Sequence, residues 1–256
     1  MAIKYFQLAI KQRYPFAMYT LGCYYYNNVD KKDFKKSIYY LELSVKYNML
    51  DAFPILAFIY MHGINVEIDI KKGYDLYEVS AKANNVFALS YLGYEYSSGE
   101  IFKVDLNKSI DYFLKCLSML NNDVKYNSNN KYFWFTNNVF SEGCCYIACN
   151  DLGLIYLLDL NDIQKAENYL KKSAFNEFQY GQYCFGLFCY FYLDQKENAV
   201  HMLKCASKKN FALAEYFIGY LEEKDSNIKK AIEFYEKASE HQDEPIKFCD
   251  ILRSDP

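Results

Sequence analysis

The sequence predicts an all-α fold, an α-solenoid built from stacked helical hairpins. Three observations lead to this prediction. The 256 residues contain only 10 glycines and 4 prolines, two short patterns of small and large apolar residues alternate along the chain, and the spacing between the patterns is nearly constant. Few helix breakers are typical of a mostly helical chain, and a pattern that recurs at a fixed period indicates a repeat architecture.

The first pattern has a small residue, then Leu-Gly at offsets four and five, and Tyr at offset eight. Offsets of four and eight fall on one face of a helix, so the pattern predicts an amphipathic helix, termed helix A. Helix A starts at Ala17, Ala52, Ala88 and Ala148, and in degenerate form at Gly181 and Ala214.

The second pattern predicts a partner, termed helix B, with a small residue at its start and again at offset seven. It starts at Ala2, Ser37, Gly73, Ser109, Ala166, Ala199 and Ala231. At the position four residues before most of these starts, the side chain can accept hydrogen bonds from the first N–H groups of the helix. These predicted N-caps are Asp33, Asp69, Asp105, Asp162 and Asn227, whereas Gln195 departs from the pattern.

The two patterns keep a fixed phase along the chain. The step from helix B to the next helix A is the same in six of seven cases, as from Ser37 to Ala52 and from Ala199 to Ala214. Small residues at the contact let two helix backbones approach closely. A single hairpin cannot bury its apolar faces alone, whereas a stack can, which favours a solenoid. An ordinary helical bundle with accidental spacing is the alternative.

The repeat register predicts one solenoid over residues 1–256. An incomplete first repeat at 1–16 precedes six repeats at about 17–51, 52–87, 88–123, 148–180, 181–213 and 214–245, with an insertion at about 124–147 and a C-terminal partial helix at 246–256.

Composition excludes several classes of function. The net charge of -3 argues against nucleic acid as the main ligand, because phosphate binding needs a concentrated basic surface. No apolar run reaches the ~18 residues that a membrane span needs. Nine cysteines without regular pairing, and the absence of a recognisable secretion signal, predict reduced thiols and a cytoplasmic location.

Two segments carry a resemblance to a known family. "ALSYLGYEYSSG" at 88–99 and "DIQKAENYLKKSA" at 162–174 match the two halves of the Sel1-like repeat, which is related to the tetratricopeptide repeats. The resemblance extends from residue 2 to about residue 250, outside the insertion. It implies a right-handed α-solenoid that acts as a non-catalytic protein-interaction scaffold without a cofactor. The chain lacks the two regularly placed cysteines per repeat of the secreted, enzymatic relatives.

The resemblance also implies where a partner binds, because in related hairpins one face of helix A lines the concave groove. The residues predicted to bind a peptide or partner protein there are Tyr19, Tyr26, Phe58, Met61, Tyr94, Leu154, Leu157, Tyr183, Leu187, Tyr190, Tyr216 and Tyr220. Tyr and Met are enriched in protein interfaces. In the alternative interpretation, tight curvature buries much of this stripe against the adjacent A helices.

Two further segments are candidates for interaction. The insertion contains "YFWF" with the only tryptophan, Trp134, which either docks on a partner or folds back over the solenoid. The chain opens inside a helix B, so Tyr5, Phe6 and Ala9 need cover, and we expect self-association through this N-terminal end.

No pattern of catalytic or metal-binding residues stands out. The three histidines lie in different repeats without metal-ligand spacing, and no glycine-rich phosphate loop occurs. Cys144 and Cys145 are interpreted as packing residues, with a reactive thiol as the alternative. The predicted function is therefore a scaffold for an unidentified protein or peptide. The alternative is a thiol-dependent or hydrolytic enzyme that uses the insertion region.

Overall fold

The computed structural model describes residues 2–27, 33–121, 139–175 and 178–241. Every regular element in these ranges is helical, which confirms the predicted all-α fold class. The α-helices are α1 (Ala2–Lys11), α2 (Pro15–Asn27), α3 (Phe34–Lys46), α4 (Ala52–His62), α5 (Ile70–Lys82), α6 (Val86–Ser98), α7 (Leu106–Asn121), α8 (Val139–Leu154), α9 (Ile163–Ala174), α10 (Gln179–Phe191), α11 (Lys196–Ser207), α12 (Ala212–Lys224) and α13 (Ile228–Glu240).

The chain forms two compact units, unit 1 (Met1–Ala148) and unit 2 (Cys149–Pro256). In unit 1 the pairs α2/α3, α4/α5 and α6/α7 have the most extensive contacts, and in unit 2 the pairs α10/α11 and α12/α13 do. These pairs are the predicted A/B hairpins. Adjacent hairpins also contact each other, for example α3 with α4 and α11 with α12, so the hairpins stack within each unit as predicted.

The predicted repeat boundaries remain a prediction. Helix α8 begins at Val139, ahead of the predicted repeat start at Ala148, and continues into a π-helical turn at Ile155–Asp159. The predicted C-terminal partial helix and Trp134 lie outside the described residues.

The small residues of both patterns lie at the contacts between helices. The pattern-starting alanines Ala52, Ala88 and Ala214 are fully buried. A Cβ atom added to Gly93 of α6 would lie 2.7 Å from the ring of Phe113 in α7. The Gly93 carbonyl oxygen accepts a 2.7 Å hydrogen bond from Ser109 Oγ in α7. Close approach of the two backbones is therefore what the small residues provide.

Four of the five predicted N-caps are confirmed. The side chains of Asp33, Asp69, Asp105 and Asp162 each accept a hydrogen bond of 2.9–3.1 Å from the backbone N–H three residues later. The prediction for Asn227 is wrong. This residue makes no side-chain cap, because its Nδ2 donates to Glu222 Oε2 at 2.9 Å instead.

A backbone hydrogen bond closes the loop inside each complete hairpin. The N–H of the residue before helix B donates to the carbonyl oxygen of the residue near the end of helix A. The pairs are Asp33–Tyr25, Asp69–Tyr60, Asp105–Tyr96, Asp162–Tyr156, Gln195–Cys189 and Asn227–Glu222, at 2.7–3.1 Å. The loop residues between these two groups differ in number, so one bond fixes hairpins with loops of unequal length.

Tyrosine pairs join helix A to helix B in three hairpins. The rings of Tyr25/Tyr40, Tyr96/Tyr112 and Tyr156/Tyr169 stack with centroids 5.6–6.0 Å apart. In each hairpin a lysine ammonium lies 4.8–5.3 Å from the helix A ring and also pairs with the capping aspartate. The recurring Tyr of the first pattern is thus a packing residue.

Candidate partner-binding surfaces

The three consecutive tyrosines of α2 all pack against other rings. Tyr24 meets Tyr25 edge-on at 5.4 Å, Tyr25 stacks on Tyr40 of α3, and Tyr26 meets Phe34 of α3 edge-on at 5.8 Å. All three are half-buried. Of the three, only Tyr26 belongs to the predicted stripe, and part of its surface is engaged inside the hairpin.

In unit 1 the predicted stripe is partly accessible. Tyr19 and Met61 are buried, and Tyr19 lies 6.3 Å from the ring of Phe16 on its own helix. Tyr26, Phe58 and Tyr94 are half-buried. These three side chains are the part of the stripe that a partner of unit 1 can reach.

In unit 2 the stripe is buried at one end and open at the other. Leu154, Leu157, Tyr183 and Leu187 are buried, whereas Tyr190 and Tyr220 are half-buried and Tyr216 is 52% exposed. The next hairpin covers Tyr183, whose ring lies 5.5 Å from that of Phe211, the residue just before α12. The alternative of burial between A helices thus holds for part of the stripe. The binding role of the rest remains a prediction.

The open end of the stripe in unit 2 belongs to a cluster of rings on α10 and α12. This unit 2 aromatic patch consists of Tyr190, Phe191, Phe217 and Tyr220. Tyr190 and Phe191 each meet Phe217 edge-on, at 5.7 and 5.8 Å, and Tyr220 lies 5.5 Å from Phe217. Phe191 is 53% exposed. The sequence pattern predicts the two tyrosines but not the two phenylalanines, because Phe191 and Phe217 lie off the helix A face that carries the predicted stripe.

A second cluster lies on α4, α5 and α6 of unit 1 and is polar as well as aromatic. This Glu95 network consists of His62, Tyr77, Tyr91 and Glu95. Nε2 of His62 lies 3.1 Å from the Tyr91 hydroxyl, and the Tyr91 ring stacks on that of Tyr77 at 4.4 Å. Glu95 is buried at 2% exposure and interacts with the Tyr91 hydroxyl through its carboxylate. Sequence reasoning missed this network.

A comparison with protein families accounts for the fold. The model of the Sel1 repeat matches residues 1–14, 15–46, 55–85, 86–115, 147–174 and 210–243, more than half of the chain. The chain belongs to the Sel1 repeat family. Sel1 repeats generally form scaffolds for protein interaction, and the predicted resemblance is confirmed.

Solved structures of Sel1 repeat proteins have the same fold. One is c5321, a protective antigen present in uropathogenic Escherichia coli strains, with a TM-score of 0.70 and 20% identity over 93% of this chain. The match covers 48% of that protein, so the present chain spans about half its length. A Sel1 repeat protein from Oxalobacter formigenes has a TM-score of 0.70 and 19% identity, over 89% of this chain and 88% of that one. No curated protein matches the sequence.

Burial shifts several titratable groups of this Sel1 repeat protein. It raises the pKa of Asp151 to about 7, although Asn150 Nδ2 donates a 3.3 Å hydrogen bond to its carboxylate. Burial also raises the pKa of Glu95 above its usual range. The pKa of the Cys144 thiol is raised to about 12 for the same reason. A thiol with that pKa is protonated at neutral pH, which disfavours a reactive thiolate at this position.

The described residues contain no group of three or more His, Cys, Asp and Glu side chains that could hold a metal ion. Within the same part of the chain, no helix has the length and apolar character needed to cross a lipid bilayer.

Proposed function

We propose that this Sel1 repeat protein is a non-catalytic scaffold that binds a peptide or partner protein on the accessible aromatic side chains of its A helices. The observation that carries the proposal is the unit 2 aromatic patch, where four rings lie together and Phe191 is more than half exposed. Aromatic side chains dominate the energetics of protein interfaces because they bury a large area with few rotatable bonds. Unit 1 has a separate candidate surface of its own at the half-buried Tyr26, Phe58 and Tyr94.

A patch variant and a matched control test this function. The patch variant combines Phe191→Ala with Tyr220→Ala, and the control combines Ile228→Ala with Ile232→Ala, which removes exposed apolar surface from α13. Each protein serves as bait in affinity purification from native cells, followed by quantitative mass spectrometry. Loss of a hot-spot contact of about 2 kcal/mol weakens binding about 30-fold.

We expect partners that the wild type and the control retain and the patch variant loses. Circular dichroism spectra of the three proteins should coincide, because the substituted side chains are partly or largely exposed. If a folded patch variant retains the same partners in the same amounts, the aromatic patch is not the binding surface.

We further propose a cytoplasmic location and self-association through α1. The eight described cysteines form no disulfide with one another, which supports the first. Exposed Tyr5 and Leu8 on α1, and Tyr14 just after it, support the second. Light scattering after size exclusion tests self-association: replacing Tyr5 and Leu8 by Ser should convert an oligomer to a monomer, and a monomeric wild type would contradict it.

A further inference from the structure

In the part of the chain that the structure describes, the carboxylate of Glu95 is buried without a counter-charge. Glu95 lies on α6 and is 2% exposed, and its Oε2 atom has no hydrogen-bond partner among these residues. The groups that act on it are Tyr91, Glu100 and the backbone of Ile101, and none of these is a cation. A buried anion with an unpaired oxygen destabilises a fold unless another group pairs with it.

Another buried glutamate in the chain, Glu215, has partners for both of its carboxylate oxygens. Glu215 of α12 is also 2% exposed. Its Oε2 lies 2.8 Å from Nδ1 of His241 and its Oε1 accepts a hydrogen bond from Ser207 at 3.3 Å. Both oxygens of Glu215 therefore have partners, whereas Glu95 keeps one oxygen unpaired.

The repeat register makes Glu95 an exception in the sequence too. It occupies offset seven of helix A, where the other repeats have Tyr24, Ile59, Ile155, Phe188 and Leu221. Every other repeat thus places an apolar or aromatic side chain at this position. Packing alone does not require a carboxylate there.

Other polar groups converge on the same place. Among the described residues, the hydroxyl of the fully buried Tyr77 also lacks a partner, and the Tyr77 ring stacks on that of Tyr91 at 4.4 Å. Tyr91 is half-buried, and its hydroxyl lies 3.1 Å from the exposed His62 side chain. Besides stacking on Tyr77 and interacting with Glu95, Tyr91 therefore has a hydrogen bond to a surface histidine at the solvent side of the network.

We propose that the Glu95 network binds the guanidinium group of an arginine from the partner. This inference rests on the proposed scaffold function and names the chemistry that one of its contacts recognises. A guanidinium carries five N–H donors and a permanent charge. It supplies donors for Glu95 Oε2 and for the Tyr77 and Tyr91 oxygens, and entry requires that His62 release Tyr91. A neutral or acidic side chain leaves the carboxylate charge uncompensated.

Selection from a random 12-residue peptide library displayed on phage tests the proposal. The baits are the wild type, Glu95→Gln, which keeps the shape and removes the charge, and Glu100→Gln, a control that removes a nearby exposed charge. We expect arginine to be enriched above its library frequency in peptides selected on the wild type and on Glu100→Gln, and this enrichment to disappear on Glu95→Gln. Enrichment without an arginine bias overturns the inference and leaves the scaffold function standing. No enrichment on any bait also overturns the inference, whereas the scaffold function is overturned only by the affinity purification described above.

A second measurement does not depend on the folding of Glu95→Gln. A selected peptide is synthesised with arginine and with citrulline, its neutral isostere, and both are titrated against the wild type and Tyr91→Phe by calorimetry. We expect the citrulline peptide to bind the wild type at least 10-fold more weakly, a difference of about 1.4 kcal/mol. The carboxyl carbon of Glu95 should shift in NMR spectra with the arginine peptide only. Equal affinities on the wild type mean that a neutral group such as a buried water satisfies Glu95, and the proposal is then wrong.

Discussion

Substituting Gly93 by alanine tests the close helix contact on which the stacked hairpins depend. The new Cβ would lie 2.7 Å from two ring carbons of Phe113, well inside the ~3.5–4.0 Å at which carbon atoms attract each other. Phe113 is fully buried, so its ring has little room to move. Overpacking of this kind costs about 1–3 kcal/mol, and better helix propensity returns about 1 kcal/mol.

We therefore expect Gly93→Ala to lower the free energy of unfolding by about 1 kcal/mol. With an m-value of about 3 kcal/mol/M, the urea midpoint falls by about 0.3 M, as measured by circular dichroism at 222 nm. Gly186→Ala is the matched control, because its Cβ would lie 3.0 Å from the nearest atom, Cγ of Leu203, rather than 2.7 Å, and its midpoint should change less. If Gly93→Ala proves as stable as the wild type, or more stable than the control, the packing of α6 on α7 is not as described.

Two further outcomes follow from the caps and from a buried carboxyl. Asp105→Ala should lower the free energy of unfolding by about 1 kcal/mol, whereas Asn227→Ala should change it very little, because only Asp105 caps its helix. Urea unfolding of the two variants measures the difference, and equal losses of stability would contradict this expectation. Burial holds the pKa of Asp151 at about 7 in the folded chain, against about 4 in the unfolded chain. The folded protein therefore loses stability as the pH rises from about 4 to about 7, and the free energy of unfolding falls by at most ~4 kcal/mol. Asp151→Asn should therefore stabilise the protein more at pH 8 than at pH 5 in thermal unfolding, and a pH-independent difference would contradict the shift.

The hairpins could be predicted from the sequence because the signal repeats. Small residues must occur wherever two backbones meet, so chance departures in one repeat do not hide the phase of the others. The aspartate caps follow from local chemistry, and Asn227 fails because Glu222 competes for its side chain at a distance that a pattern of single positions does not reveal.

The accessible surface could be predicted only in part. Tyr183 and Tyr216 occupy the same offset in neighbouring repeats, yet the first is buried and the second exposed. The difference comes from what each repeat has beside it, which no position within a repeat encodes. Glu95 was detectable in principle, since its charge breaks an otherwise apolar column, but its missing partner is visible only once the neighbouring side chains have coordinates.

The backbone bond between the end of helix A and the start of helix B has a consequence for how such chains change. The same bond forms between Asp69 and Tyr60 and between Asp162 and Tyr156, although the loops that it closes differ in length. Residues inserted between the two bonded groups lengthen the loop but leave this hydrogen bond in place. The entropic cost of closing the loop then rises only slightly, by ~0.6 kcal/mol for each doubling of loop length. We therefore expect these loops to tolerate insertions, natural or engineered, that add new binding segments without changing the register of the two helices.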